Sequence, residues 1–451
     1  MSDVPREPEG PYSVRDVVVL GAGAAGLCAA IRAAELGASV LLLEKNRKAG
    51  VKILMSGGTR CNLTNARGLR SLRVVSGPID PRYDTRQALG ARSIQHAFAA
   101  SGKFLGPSLR SLSVESTVEL FEAEGVVTKV EANGKIFPAS DRAVDVLAAL
   151  LRRLGRSGAE LRCQAAVRAL EPIEGGFRVR LDNDEIRARR VIVAVGGQSF
   201  PGCGTAGDGY AMARGFGHTI VEPRPALVPV RVAADWVRDL SGLTLPDAVA
   251  TVVDSAGRRL QERREAVLFA HFGLTGPAIL DVSRAVARFE GDGRPTLVLD
   301  VVPEIRPEVL EQSLQEASRS GRRPVVGLLP PGIPRRLAEC LVRTAGVPDG
   351  RMGPDLSRDE RRRLVSSCKA LSLPVEGTLG FAKAEVTSGG VTLDEVDPAT
   401  LESLRQPGLF FAGEVLDLDG QIGGYNFQAA WSTGWLAGES AAQGCSRSSG
   451  V

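Results

Sequence analysis

The hydrophobic and polar positions near the start of the chain predict a strand, a helix and a second strand. An apolar run at 17–20 precedes a glycine-rich turn, and residues Leu27–Leu36 are mostly alanine, leucine, isoleucine, arginine and glutamate, which favour a helix. Gly37 ends this helix, and a second apolar run from Ser39 to Leu43 closes on Glu44. Elements in this order predict a parallel sheet of the Rossmann type.

The turn between the first strand and the helix has the pattern G-x-G-x-x-G. Its first glycine permits the tight turn, its second lets the backbone approach a pyrophosphate, and its third lets the helix pack on the sheet. The helix N-terminus offers free N–H groups to phosphates, and the carboxylate of Glu44 can accept both ribose hydroxyls. The predicted dinucleotide contacts in this turn are Gly21, Gly23, Ala24, Ala25 and Gly26.

A polar, glycine-rich segment follows the second strand, where a nicotinamide-binding Rossmann domain usually runs straight into its next helix. It leads from Lys45 through Lys52 to the sequence S-G-G-T-R-C-N-L-T-N at 56–65, in which Arg60 adds a positive charge. Such a segment suits a cofactor that is longer and more anionic than the first mononucleotide-binding half can cover. FAD is the natural candidate.

The sequence at 56–65 resembles that of the bacterial flavoproteins called YhiN-like or BaiN-like, also known as the aminoacetone-oxidase family of FAD-binding enzymes. The resemblance extends from Asp16 through nearly the whole chain. The family usually has a third glycine where this chain has Thr59, which makes the backbone there less permissive. Because no His or Cys lies in the usual setting for a covalent link, we expect FAD to be held without a covalent bond. With one nucleotide-binding domain predicted, NAD(P)H would be a transient reductant.

Local patterns and the resemblance together place further residues at the FAD. The apolar strand at 191–195 ends in two glycines, where a backbone can approach a dinucleotide, and the strand at 409–412 ends in a glycine and an acid. A helix N-terminus beside the flavin ring would stabilise the anionic reduced flavin. The predicted contacts are Glu44, Lys45, Lys52, Ser56, Gly57, Gly58, Arg60, Cys61, Asn62, Val167, Ala194, Gly196, Gly197, Asp208, Gly413, Glu414, Gly423, Gly424, Tyr425 and Asn426.

Residues 202–207 form a second G-x-G-x-x-G, which we do not interpret as a second dinucleotide site. Phe200 and Pro201 separate it from the preceding strand, and no strand-ending acid follows at the usual interval. The sequence therefore predicts one nucleotide-binding domain, unlike the FAD-plus-NADPH pair of disulfide reductases.

The predicted fold class is α/β, with a discontinuous Rossmann-like FAD-binding domain and an inserted β-rich domain that carries a helical subdomain. The predicted segments are a loose N-terminal tail at 1–15, the FAD-binding domain at 16–222 and 387–451, the inserted β domain at 223–303 and 371–386, and the helical subdomain at 304–370. Among the individual elements we expect a helix at 93–105, a hairpin over 126–138, and strands at 162–170, 177–181, 187–195 and 376–386.

Composition narrows the classes of function. The 451 residues are 43% hydrophobic, no apolar run is long enough to span a bilayer, and the polar start of the chain does not look like a signal peptide. Seven scattered cysteines without a C-x-x-C pair fit a reduced cytoplasm, and three histidines without a Cys/His cluster predict no metal site.

The net charge is +4, but five arginines and no acid lie between Arg319 and Arg336. Such clusters permit contact with a polyanion such as RNA, although a solvated surface also explains them.

Two side chains are candidate proton donors to a substrate. Cys61 lies in the most specific motif, where its thiol could protonate a carbon or could simply pack beside the FAD. His271 lies in the predicted insert, where it could face the substrate or could serve a structural hydrogen bond within its own turn. Oligomeric state does not follow from the sequence.

The resemblance implies several activities. They are reduction of a C=C bond in dehydro-bile acids, reduction of a uridine in 23S ribosomal RNA to dihydrouridine, and oxidation of aminoacetone. We expect reduction of a C=C bond by reduced FAD, which NAD(P)H regenerates. The arginine-rich insert favours rRNA over a small enone as the substrate. The alternatives are a flavin amine oxidase, which the 5% aromatic content disfavours, and a non-enzymatic flavin-bound RNA-binding factor.

Overall fold

A computed structural model describes residues 14–446 of the chain, so that most of the predicted N-terminal tail at 1–15 lies outside the described residues. The strands are β1 Arg15–Leu20, β2 Val40–Leu43, β3 Thr64–Asn65, β4 Thr128–Val130, β5 Lys135–Pro138, β6 Glu160–Arg162, β7 Ala169–Ile173, β8 Gly176–Arg180, β9 Glu185–Val193, β10 Ile220–Ala226, β11 Val230–Val232, β12 Thr244–Val253, β13 Arg259–Ala270, β14 Gly273–Thr275, β15 Thr296–Asp300, β16 Leu371–Thr378, β17 Val386–Val391 and β18 Leu409–Phe411.

The helices are α1 Ala24–Glu35, α2 Val51–Thr59, α3 Ala91–His96, α4 Gly106–Ser111, α5 Val114–Ala123, α6 Ala143–Ser157, α7 Asp208–Gly215, α8 Asp235–Asp239, α9 Pro277–Ala287, α10 Pro307–Arg319, α11 Arg335–Thr344, α12 Arg358–Lys369 and α13 Tyr425–Ser446. The chain divides into two compact units. The first comprises the chain up to Pro223 and from Val386 onward, and the second runs from Arg224 to Glu385.

The first unit is built on a seven-stranded sheet in the order β6-β2-β1-β9-β8-β7, with β18 also paired to β9. Strand β1 is parallel to both β2 and β9, as the apolar runs predict. Helix α13 packs directly on α1, because a Cβ on Gly434 would lie 2.1 Å from the Ala25 carbonyl oxygen and one on Gly438 would lie 2.3 Å from that of Ala29. Helix α13 therefore covers α1.

The second unit contains a closed barrel in the order β11-β14-β13-β12-β15-β16. Its long antiparallel hairpin, β12 and β13, pairs Thr244 with Leu268 at one end and Val253 with Arg259 at the other. Helices α9 to α12 belong to the same unit and share one apolar core with the barrel. The predicted β-rich part and the predicted helical part are thus both present between 224 and 385.

Three predicted elements differ from the structure. The expected helix at 93–105 is split, because Ala99 has φ +50° and the chain continues as a 3-10 helix from there. The expected strand at 162–170 is two short strands, because Gln164 has φ +56° and its N–H donates to the Asn46 carbonyl. The expected strand at 376–386 is interrupted by a turn at 379–385 between β16 and β17.

Within residues 14–446, every helix is too short or too polar to cross a bilayer.

Candidate functional site

The glycines of the first turn have three different surroundings. Gly21 has φ +94°, and a Cβ on Gly26 would lie 1.8 Å from the Gly21 carbonyl oxygen, so these two positions require glycine for the fold itself. A Cβ on Gly23 would meet no other atom of the described residues within 4 Å. Gly23 is the N-cap of α1, and no side chain of the described residues caps it. The turn therefore forms an open cradle at a helix N-terminus.

Glu44 lies at the end of β2, and its side chain is held by two backbone groups. One carboxylate oxygen accepts the N–H of Ala22 at 2.9 Å, and the other accepts the N–H of Asn46 at 2.8 Å. Only 7% of the residue is exposed. Each oxygen keeps a further lone pair with which it can accept a ligand hydroxyl.

A polar network joins the start of α2 to the end of the chain. The Lys52 ammonium lies 2.6 Å from Ser199 Oγ and 2.6 Å from one oxygen of Glu414. The other Glu414 oxygen accepts the Ser199 hydroxyl at 2.6 Å and the backbone N–H of Thr387 at 2.9 Å. A Cβ on Gly197 would lie 2.4 Å from Thr387 Oγ1, so only glycine leaves room for this arrangement.

The backbone between α2 and β3 enters the left-handed region repeatedly. The helical part of α2 ends before Ser56, which is extended, and Gly57 and Gly58 have φ +55° and +68°. Thr59 follows with φ +68° and Cys61 with φ +60°. A β-branched residue in this region is strained, which agrees with the glycine expected at position 59 from the family resemblance.

Four successive residues, 62–65, are each hydrogen-bonded to the start of α13 or to the turn before it. The pairs are Asn62 with the N–H of Gly424 (2.8 Å), the Leu63 carbonyl with the Trp431 indole (3.0 Å), Thr64 with Gln428 (2.6 Å) and Asn65 with the Gly423 carbonyl (2.9 Å). Gly424 must be glycine, because a Cβ there would lie 2.4 Å from the Thr64 carbonyl oxygen. The two glycine-rich motifs predicted to contact the flavin ring therefore form one bonded unit.

Three of the predicted cofactor contacts are charged groups that pair with each other or with neighbours. Arg60 donates to Glu131 at 2.6 Å and to Asp141 at 3.3 Å, and its guanidinium lies 4.0 Å from the centre of the Phe137 ring. Lys45 and Asp208 form an ion pair. In this structure the guanidinium of Arg60 is thus already compensated by two carboxylates.

Four further predicted contacts come after strands of this sheet in the sequence. Ala194 follows β9 and donates its N–H to the Leu20 carbonyl, and Gly196 has φ +78° in the turn after it. Val167 lies half-buried between β6 and β7. Gly413 donates its N–H to Thr433 Oγ1 of α13 at 3.0 Å.

The start of α13 is held by its own side chains. The Asn426 amide oxygen accepts the N–H of Gly420 at 2.8 Å, and its nitrogen donates to the Gly420 carbonyl at 3.0 Å, which closes the turn 420–426. Tyr425 is 4% exposed.

The two candidate proton donors have opposite surroundings. Cys61 is fully buried in the apolar core beside Ile53 and Leu63, and this burial raises the pKa of its thiol to about 12. His271 lies exposed in the turn between β13 and β14, with its ring edge against Phe272 at 4.9 Å between centroids. Burial of Cys61 agrees with the packing role that the sequence leaves open.

Sequence reasoning did not identify four residues that hold this site together. Ser199 and Thr387 complete the network around Glu414, and Gln428 and Trp431 anchor residues 63 and 64. Their residue types are common in loops and helices, and no motif marks them. Only the pairing of segments more than 180 residues apart brings them to the site.

The arrangement fits FAD on grounds of shape and charge. An open backbone cradle at an uncapped helix N-terminus suits a pyrophosphate, and Glu44 beside it offers acceptor capacity for a ribose. The bonded unit of 62–65 and 423–431 presents a second helix N-terminus, that of α13. A dinucleotide cofactor with its pyrophosphate at the first feature and its second ring system at the other, as FAD would place its flavin, would use both of them.

Comparisons with known proteins agree with this interpretation. The HI0933-like protein Rossmann domain family matches residues 15–76 and 85–440. A 3-dehydro-bile acid delta(4,6)-reductase of Clostridium scindens is 33% identical over 434 residues, which cover 94% of this chain and 98% of that protein. A ribosomal RNA dihydrouridine synthase of Escherichia coli is 29% identical over 427 residues, which cover 94% and 97%.

A solved structure shows likeness of fold. The 3-ketosteroid-delta4-(5alpha)-dehydrogenase of Rhodococcus jostii RHA1, in complex with 4-androstene-3,17-dione, matches with a TM-score of 0.53 at 17% identity, covering 96% of this chain and 98% of that one. The predicted α/β fold class and the predicted family are both confirmed. The chain is an FAD-dependent oxidoreductase that belongs to the HI0933-like family, together with the YhiN-like and BaiN-like proteins.

Proposed function

We propose that the chain reduces an activated C=C bond with FAD as the cofactor, and that NAD(P)H reduces the FAD again after each turnover. The supporting observation is similarity over nearly the full length to two relatives, whose names describe reduction of a dehydro-bile acid and formation of dihydrouridine in ribosomal RNA. Both reactions saturate a C=C bond that is conjugated with a carbonyl group. FAD, when bound, supplies the hydride chemistry.

The residues of the chain bind and orient the cofactor. The backbone at Gly23 and the α1 N-terminus would hold the pyrophosphate, and Glu44 would accept from the ribose. The N-terminus of α13 would favour negative charge on the reduced ring. Lys52, fixed by Ser199 and Glu414, keeps its third N–H available to the cofactor.

Reduction of a C=C bond adds a hydride to one carbon and a proton to the other. The proton must come from a group that solvent or substrate can reach. Cys61 is fully buried, and its raised thiol pKa makes it a weak acid. His271 is exposed and has the residue type most often used for proton transfer near neutral pH. We therefore propose His271 as the donor and regard Cys61 as the alternative.

The proposed substrate is a uridine of 23S rRNA, because positive charge is concentrated in one segment of the insert. Residues 319–363 contain eleven arginines against five acidic residues, a net +6, although the whole chain is only +4. Arg319, Arg322, Arg358 and Arg362 are exposed there. A polyanionic backbone gains affinity from such charge, whereas a neutral sterol ring does not.

The test uses purified protein with FAD and NAD(P)H under anaerobic conditions. The acceptor is either a 23S rRNA transcript or a 3-dehydro-delta-4,6 bile acid. Mass spectrometry of digested RNA should show dihydrouridine at one position, and the bile acid should remain unreduced. An Arg319→Gln/Arg322→Gln/Arg358→Gln variant should weaken RNA binding and flatten its salt dependence. Arg82→Gln/Arg86→Gln/Arg92→Gln removes three exposed charges of the first unit and serves as the matched control.

The second candidate is a reductase of a small enone, which the 33% identity to the bile acid reductase favours. Reduction of the bile acid without dihydrouridine formation would establish it. Oxygen uptake with an amine and without NAD(P)H would instead identify an amine oxidase. RNA binding without any oxidation of reduced flavin would identify a non-enzymatic factor.

A further inference from the structure

Gln428 is a fully buried amide in the first turn of α13. Its oxygen accepts the hydroxyl of Thr64 at 2.6 Å, and Thr64 is also fully buried. The two residues are 364 positions apart in the chain. A buried bond between such distant segments is made only when the fold brings both into register.

The amide nitrogen of Gln428 is hydrogen-bonded as well, so that both polar atoms of the side chain have partners. Its nitrogen donates to Thr117 Oγ1 and to Ser432 Oγ, both at 2.9 Å. Those hydroxyls donate in turn to the carbonyls of Ser113 at 2.8 Å and Leu112 at 2.7 Å. Each hydroxyl therefore accepts one bond and donates one, which fixes the amide in a single orientation.

The network lies directly behind the two loops assigned to the flavin ring. Thr64 follows Asn62 by two residues, Gln428 follows Gly424 by four, and Asn62 accepts the Gly424 N–H at 2.8 Å. The bond between Thr64 and Gln428 therefore braces the bond between Asn62 and Gly424. Because neither Thr64 nor Gln428 has exposed surface, neither side chain can contact the cofactor itself.

We propose that Gln428 is a positioning residue that sets the geometry of both flavin loops, 57–65 and 420–426, relative to each other. The inference rests on the proposed binding of FAD between these loops. Loop 57–65 holds two non-glycine residues, Thr59 and Cys61, at positive φ, a conformation that persists only when surrounding contacts over-determine it. Gln428 supplies one of those contacts from the interior.

Removing either partner leaves the other unsatisfied in the interior, so the loops should shift to recover a bond. Gln428→Leu and Thr64→Val should each raise the Kd for FAD by about tenfold or more, and the double variant should be no worse than either single one. Thr64→Ser keeps the hydroxyl and should stay within about threefold of the native value. The flavin midpoint potential should shift in both single variants and in the double variant, and should stay at the native value in Thr64→Ser.

The experiment titrates FAD into each apoprotein by flavin fluorescence and then measures the midpoint potential of each complex. Leu436→Ala is the matched control, since Leu436 lies in the apolar core two turns farther along α13. It should lower the unfolding temperature and leave the Kd and potential unchanged. If Gln428→Leu behaves like Leu436→Ala in all three measurements, Gln428 is merely structural. If the native protein itself fails to bind FAD, the proposed function fails instead.

Discussion

Lys52 and Glu414 form an ion pair of 2.6 Å although they are 362 residues apart in the chain. Their side chains are 29% and 19% exposed, so that solvent screens the pair only in part. Lys52 comes from the segment after β2, and Glu414 follows β18. The pair thus joins the two parts of the chain that flank the second unit in sequence.

Lys52→Met should leave Glu414 without its cation while the bonds from Ser199 and Thr387 remain. We expect the free energy of unfolding to fall by about 1–3 kcal/mol, between the values for exposed and buried pairs. Urea denaturation of the apoprotein measures this. Arg168→Met breaks an exposed pair with Asp182 and should have no measurable effect. Equal losses of unfolding free energy in the two variants would show that the Lys52–Glu414 pair stabilises the fold no more than an exposed ion pair does.

Gly23→Val and Gly26→Val should separate cofactor binding from folding. A side chain at 23 enters open space, so the apoprotein should remain folded and yet fail to bind FAD, because the valine occupies the pyrophosphate cradle. A side chain at 26 would collide with the Gly21 carbonyl and should prevent stable folding. Circular dichroism and FAD fluorescence together give both results. Full FAD occupancy in Gly23→Val would exclude this cradle as the pyrophosphate site.

Thr59→Gly should stabilise the protein. Thr59 is exposed and has φ +68°, a region that costs a non-glycine residue roughly 1–2 kcal/mol, and glycine recovers most of this. We expect a gain of about 1 kcal/mol in chemical denaturation. The neighbouring Gly58→Ala substitution, at φ +68° and with open space for its Cβ, should lose a similar amount. A loss in both variants would indicate that the Thr59 side chain makes a compensating contribution.

Cys61→Ala should slow neither half-reaction by more than a few-fold, because its buried thiol with a pKa of about 12 is poorly suited to deliver a proton. His271→Gln should leave reduction of FAD by NAD(P)H intact and slow reduction of the C=C acceptor by about 10²–10⁴, as for a lost general acid. Stopped-flow absorbance resolves the two steps. The reverse pattern would make Cys61 the donor, and the Cys61→Ser variant should then retain part of the rate.

Acid should destabilise the first unit through His218. Its ring is fully buried, lies 2.7 Å from Ser403 Oγ and 3.2 Å from Glu395, and burial holds its pKa below the ordinary value of 6.5. The unfolded chain therefore takes up this proton first, so stability is intact above about pH 6.5 and falls as the pH drops below it.

Glu395 acts in the same direction at lower pH. Its bond to Arg405 lowers its pKa to about 2, so its contribution is lost as the pH falls from about 4.5 toward 2. The unfolding temperature should decline between pH 6.5 and 5 in the native protein and decline less in His218→Gln. His96→Gln, which removes an exposed histidine, should keep the native profile.

The sequence was sufficient for the parts of the fold that local pattern determines. The apolar runs at 17–20 and 191–195, the G-x-G-x-x-G turn and the placement of Glu44 all agree with the structure, because each depends on neighbours within a few residues. The expected helix at 93–105 is interrupted at Ala99, because the positive φ of an alanine cannot be predicted from the local sequence. The expected strand at 162–170 failed because Gln164 turns to bond Asn46, a long-range contact.

The local backbone around the candidate site could be predicted where a motif repeats a known backbone shape. Contacts between side chains from distant parts of the chain could not be predicted. Gly423 and Gly424 belong to such a motif. Arg60 could be recognised as a cation, but its pairing with Glu131 and Asp141 depends on the position of the hairpin β4–β5. Thr387 and Gln428 are ordinary residues of a strand and a helix until the fold brings Thr387 to Glu414 and Gln428 to Thr64.

The four bonds between residues 62–65 and the 423–431 region also set an order of events during synthesis. Residue 64 leaves the ribosome 364 residues before residue 428. At about 5–20 residues per second this is a delay of roughly 20–70 s, during which residues 62–65 can pair with the strand β5 but lack their four bonds to the 423–431 region. The candidate cofactor site is therefore completed only after the whole second unit has been synthesised, and a nascent chain that stalls inside that unit has the glycine-rich turn at 21–26 but not residues 423–431.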